Sequence, residues 1–161
     1  MTETADALLK TLRATTGRPE LAFAAEPTPL TGGFYAEMLR FSLIDPPTDL
    51  DGELVARIIP NEELGRWEAT VQSELTRQHF ASPAVRLTAP ATGPLGRFLI
   101  VMDLVPGTPP LAGLTLGGLV RQIPTLVRTL PDQLARITAE LHRLDPGPLV
   151  TALDALDSPV P

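Results

Sequence analysis

Three groups of residues have the types and the order needed to hold a phosphate: the turn Leu30-Thr31-Gly32-Gly33-Phe34, then Arg57 in an apolar run, then Glu68. Glycines without a Cβ let backbone N–H groups come close to an anion. A guanidinium neutralises that anion, and a carboxylate on the following element fixes where the guanidinium points. The same residues have plainer readings. Gly32-Gly33 also suits a hairpin or loop turn, and Arg57 with Glu68 also suits a purely structural ion pair.

These residues need elements to position them. Leu8, Leu9 and Leu12 share one face of a helix expected over 4–15, stopped by Gly17 and Pro19. Residues 34–44 alternate as a strand, with Leu39, Phe41 and Leu43 on one face and Met38, Arg40 and Ser42 on the other. Asp45-Pro46-Pro47 and Asp51-Gly52 reverse the chain into a partner strand over 53–59. On that strand Arg57 shares a face with Val55 and Ile59, because side chains alternate with period two. Pro60 ends the strand, Asn61 is the expected helix N-cap, and Glu62 and Glu63 suit the positive end of the helix dipole. Leu64, Trp67, Val71 and Leu75 form a stripe at helical spacing, and Glu68 lies beside it, able to point toward the sheet.

Further on, residues 82–87 read as a short extended segment and 89–96 as a loop. Phe98-Leu99-Ile100-Val101-Met102 is an unbroken apolar run, expected to be a central strand buried on both faces. Asp103-Leu104-Val105-Pro106-Gly107 breaks that run like a hinge. Pro131 near a first helical position, followed by Leu134, Ile137, Leu141 and Leu144, gives an amphipathic helix that stops before Pro146. Pro146, Pro148, Pro159 and Pro161 mark a tail over 146–161 whose last residues are expected to fray.

Composition narrows the function classes. The 161 residues are 43% hydrophobic, enough for one ordinary core. Lys plus Arg number 13 against 19 for Asp plus Glu, a net charge of -6, which argues against nucleic acid as a partner. There is no Cys, so disulfides and thiolate metal sites are excluded, and the reducing cytoplasm is the expected compartment. The apolar stretch 111–130 carries Arg121, Gln122, Pro124 and Arg128 besides three glycines, which argues for core and linker rather than a membrane span. A surface amphipathic helix around 119–130 is the other reading of that stretch.

Taken in order, Leu30-Thr31-Gly32-Gly33-Phe34, Leu54-Val55-Ala56-Arg57, Arg66-Trp67-Glu68-Ala69, Phe98–Met102 with Val105-Pro106-Gly107, and Leu134-Ala135-Arg136 through Leu141-His142-Arg143-Leu144-Asp145 resemble the aminoglycoside phosphotransferase family over about 30–145. That resemblance implies an α+β fold. A protein-kinase-like small lobe, an antiparallel sheet with a packed helix, would occupy 1–102. A hinge over 103–110, the helical start of an incomplete large lobe over 111–146 and a tail over 147–161 would follow. It also implies a site. Gly32 and Gly33 would cover the phosphates of ATP, Arg57 would contact them and pair with Glu68, Met102 would border the adenine pocket, and backbone groups of Asp103 and Val105 would hydrogen-bond the base. Arg57 stands where kinases use Lys; the only Lys is Lys10, in the leading helix.

Phosphoryl transfer in such a fold needs an Asp for the acceptor hydroxyl, an Asn for magnesium and a further metal-binding Asp. His142-Arg143-Leu144-Asp145 has Leu where the first Asp is required, and the sole Asn is Asn61, upstream. No catalytic or metal-binding residue is therefore assigned. Asp154 and Asp157 read as solvated carboxylates, His79 and His142 as surface or helix-terminal, and Trp67 and Met102 equally as packing. The expectation is a phosphotransferase-related chain, truncated and inactive alone, with weak ATP contacts and no magnesium of its own. A non-catalytic nucleotide-binding or protein-interaction module and an inactive remnant are the alternatives. A complementary large-lobe chain or self-association would cover the apolar helix face.

Overall fold

Leu8, Leu9 and Leu12 recur at helical spacing behind Thr2, and in the computed structural model of the protein this pattern is helix α1, Glu3–Thr16. The structure describes residues 2–30, 35–106 and 130–156. Thr2 caps α1 by accepting from the Ala5 N–H, and Gly17 closes it in the left-handed conformation at φ 66°. Glycine suits that position because it carries no Cβ to clash.

Seven strands follow the alternating stretches among the described residues. They are β1 (Ala22–Phe23), β2 (Thr28–Pro29), β3 (Glu37–Phe41), β4 (Leu43–Ile44), β5 (Leu54–Ile59), β6 (Val85–Ala89) and β7 (Phe98–Asp103). Five of them form one antiparallel sheet in the order β2-β3-β5-β7-β6, while β1 and β4 pair separately. The strand expected over 34–44 is thus two. Ser42 separates β3 from β4 and its carbonyl accepts from the Ala24 N–H, which holds the β1 side of the chain. Phe34 lies outside the described residues. The strand at the centre of the sheet is β5, not β7 as the apolar run implies; β7 lies beside it and is still buried on both faces.

The two faces of the sheet carry different helices. Leu54, Ala56 and Ile58 of β5 and Leu99 and Val101 of β7 pack with Leu39, Phe41 and the leucines of α1. On the other face Ile59, Phe98 and Ile100 pack with Ala69 of helix α2, Glu62–Arg77. Each such fully buried aliphatic side chain contributes about 1.5–3 kcal/mol. Period two therefore puts Arg57 on the α2 side of the central strand.

Asn61 caps α2, its side-chain oxygen accepting from the Leu64 N–H at 3.0 Å. The expected stripe Leu64, Trp67, Val71 and Leu75 is only half-buried; the residues of α2 pressed inward are Gly65, Ala69 and Glu74. The reason is closeness. A Cβ built on Gly65 would lie 2.3 Å from Phe98 Cδ1, so the helix sits on the sheet through its small residues. At the far end His79 adopts φ 60° and the Phe80 N–H donates to the Leu75 carbonyl at 3.0 Å, the terminating bond of a Schellman motif.

The chain divides into two units, Met1–Leu104 with Pro146–Pro161, and Val105–Asp145. Within the second, residues 130–141 are helical (α3), with Pro131 near the start of the described stretch. Leu134, Ile137 and Leu141 are exposed on it. Helix α4, Pro146–Asp154, belongs to the first unit and packs beside α2. The first part of the expected tail is thus helical, with Pro146 at the start of the helix, where its missing N–H costs nothing; the last residues, 157–161, lie outside the described residues.

Candidate functional site

Arg57 stands in the middle strand, opposite Met38 on β3 and Ile100 on β7, and its side chain leaves the sheet on the side of α2. Glu68 sits on α2 directly before Ala69, the residue that fixes the helix against the sheet. The two side chains meet as the sequence predicts, Arg57 Nη2 lying 3.0 Å from Glu68 Oε2. Both are mostly withdrawn from water, 27% and 20% exposed. Burial pushes the Glu68 carboxyl above its ordinary range and pulls the Arg57 guanidinium below its own. Each desolvated group disfavours its own charge, and the opposite charge at contact distance offsets that cost.

A third residue completes the cluster. Tyr35 Oη accepts a hydrogen bond from Arg57 Nη2 at 2.9 Å and donates to Glu68 Oε1. Its ring lies 5.6 Å from the guanidinium carbon, within cation–π range. The reading of the sequence passed over Tyr35. The available signal was that the only Tyr of the chain stands directly after Gly32-Gly33-Phe34.

Arg57 still has an uncommitted donor. Its Nε is buried and has no hydrogen-bond partner among the described residues, and the same holds for Trp67 Nε1. Buried N–H groups left unpaired are costly and uncommon. Both residues line a cleft of about 440 Å³ between α2 and the sheet, with Glu68, Val71, Leu75 and Met102 among its other walls.

Met102 therefore shares the cleft with Arg57 and Glu68, and its sulfur accepts from Gln72 Nε2 at 3.3 Å. Asp103 does not line it. Strand alternation turns Asp103 away, where its carboxylate takes a two-point bond from Arg86 at 2.6 and 2.9 Å, and its backbone N–H donates to the Ala84 carbonyl. Val105 opens the second unit and is 58% exposed. Gly32 and Gly33 lie outside the described residues. The pair, Tyr35 and Met102 are thus gathered on one side of the sheet, and the Asp103 side chain is on the other.

Among the described residues no cluster of three or more His, Asp or Glu side chains could hold a metal ion. No described helix is long and apolar enough to cross a membrane. In chemical terms the cluster is a recessed cation, held by one carboxylate and one phenol, beside an apolar cleft. Comparison with known proteins finds no matching family model, no matching curated protein and no matching solved structure.

Proposed function

We propose that the first unit is a kinase-like small lobe that contacts the phosphates of ATP through Arg57, in a chain related to the aminoglycoside phosphotransferases. The observation that carries this reading is the Arg57–Glu68 contact of 3.0 Å. In protein kinases the phosphate-binding cation stands on the third strand and pairs with a glutamate of the following helix. Here Arg57 stands on the third strand of the five-stranded sheet in chain order, and Glu68 on the helix that follows. The buried Arg57 Nε without a partner adds a donor for an anionic oxygen. Met102 would border the base. When bound, ATP supplies an activated phosphoryl group. The 161 residues supply no Asn beyond Asn61 and no acidic catalytic loop, so binding rather than turnover is the role assigned to them.

Titration with ATP, followed through Trp67, the only Trp in the chain, tests this directly. The expected result is a saturable emission change in the unsubstituted protein that Arg57→Ala abolishes. An unchanged signal at millimolar ATP, or an Arg57→Ala protein that binds as well, removes the proposal.

A second reading, a non-catalytic interaction module, is favoured by one observation. Leu134, Ile137 and Leu141 are 54%, 51% and 43% exposed along α3, an apolar stripe suited to another protein surface. Absence of any ATP effect, together with self-association that Leu134→Glu and Ile137→Glu abolish, would favour it.

A further inference from the structure

The hydrogen-bond arrangement around Arg57 Nη2 has a consequence for any anion arriving there. That nitrogen donates a hydrogen bond to Tyr35 Oη at 2.9 Å and stands 3.0 Å from Glu68 Oε2 as its ion-pair partner. A phosphate oxygen approaching Nη2 therefore competes with these two groups.

Glu68 is the poor candidate for replacement. It is charged, mostly buried and carried by a helix that is pressed on the sheet at Gly65 and Ala69. Tyr35 is the neutral acceptor, 48% exposed, on the solvent side of the cluster and before the start of β3. Its ring covers the guanidinium at 5.6 Å as well as bonding to it. An ionised acceptor forms hydrogen bonds roughly twice as strong as a neutral one, so a phosphate outcompetes a phenol for the same N–H. The exchange is not free, since Tyr35 also gives up its bond to Glu68.

We infer that Tyr35 sets the affinity of this site: its hydroxyl occupies the acceptor position at Arg57 Nη2, and phosphate enters by displacing it. This rests on the phosphate-binding reading of Arg57 and adds what limits that binding. Tyr35 acts through Arg57 and takes no part in chemistry, so it is a positioning residue.

The test is calorimetric titration with inorganic tripolyphosphate, which has the charge and oxygens of the nucleotide tail but no base. Tyr35→Phe keeps the ring over the guanidinium and removes the competing oxygen. It is expected to bind about tenfold more tightly than the unsubstituted protein, the worth of roughly one hydrogen bond. Arg57→Ala is expected not to bind. Equal or weaker binding by Tyr35→Phe overturns the inference while leaving the phosphate reading intact; binding by neither protein overturns both.

A second measurement needs no substitution. Tyr35 and Trp67 are the only Tyr and Trp of the chain, so tyrosine emission reports on one residue. Tripolyphosphate is expected to raise that emission in step with the Trp67 change, as the phenol leaves the carboxylate and guanidinium. Saturation of the Trp67 signal with a constant tyrosine signal would overturn the displacement step.

Discussion

Gly65 of α2 and Phe98 of β7 stand so close that a methyl group on Gly65 would meet Cδ1 of the ring at 2.3 Å and Cγ at 2.8 Å. Cγ is near the root of a buried side chain and cannot swing aside without moving the strand. Since α2 carries Glu68, this contact also sets the height of the carboxylate above Arg57.

Gly65→Ala is therefore expected to destabilise the fold. Better helix propensity returns up to about 1 kcal/mol, but overpacking costs about 1–3 kcal/mol, leaving a net loss. Chemical denaturation measures it. A Gly65→Ala protein more stable than the parent would contradict the close seating of α2.

Thr11 is buried in α1, where its hydroxyl donates to the Ala7 carbonyl at 2.9 Å and accepts from the Leu95 N–H at 3.1 Å. It thereby ties the first helix to the loop before β7. Thr11→Val keeps the shape and leaves the Leu95 N–H without its acceptor, an expected loss of about 1–3 kcal/mol. Faster amide hydrogen exchange at Leu95 is the local signature to look for.

His79 closes α2 at φ 60°, a conformation that costs an L-residue roughly 1–2 kcal/mol and glycine almost nothing. His79→Gly should stabilise the fold, by somewhat less than that figure because glycine gains entropy in the unfolded chain, and so raise the unfolding midpoint. A lowered midpoint would mean the imidazole holds the turn in some other way.

Acid weakens the end of the same helix. Hydrogen bonds first from Arg77 and then from Gln78 hold the Glu74 carboxyl at about 2, below the ordinary 4.5. A depressed folded value means the stabilisation is complete above 4.5 and disappears as pH falls through 2. Glu74→Gln should thus be less stable than the parent at neutral pH, with the gap closing toward pH 2. Thermal unfolding across that range measures it; a gap that persists at the acid end would show the loss to be unrelated to charge.

What the sequence disclosed was whatever local chemistry determines. The leucines of α1, the Asn61 cap and the alternation around Arg57 each act within a few residues, and the structure has them as read. The meeting of Arg57 and Glu68 was legible because strand and helix periods both aimed inward. Tyr35 was not, because its role comes from the packing of three separate elements rather than from its neighbours. The stripe Leu64, Trp67, Val71 and Leu75 misled for a related reason: hydrophobicity marked the larger side chains, but the tightest contact belongs to Gly65, which has none. Helix α4 was hidden by its prolines, which read as breakers although the first is an initiator.

The two borders of the five-stranded sheet are β2 and β6. The first is two residues long and one of them, Pro29, has no N–H to offer; the second is irregular between Val85 and Leu87 and bears the charge of Arg86. Neither presents the long, flat, hydrogen-bonding rim on which neighbouring molecules zip together into fibrils. Aggregation of this protein by lateral strand addition is thereby discouraged at both margins, whatever brings its copies into contact elsewhere.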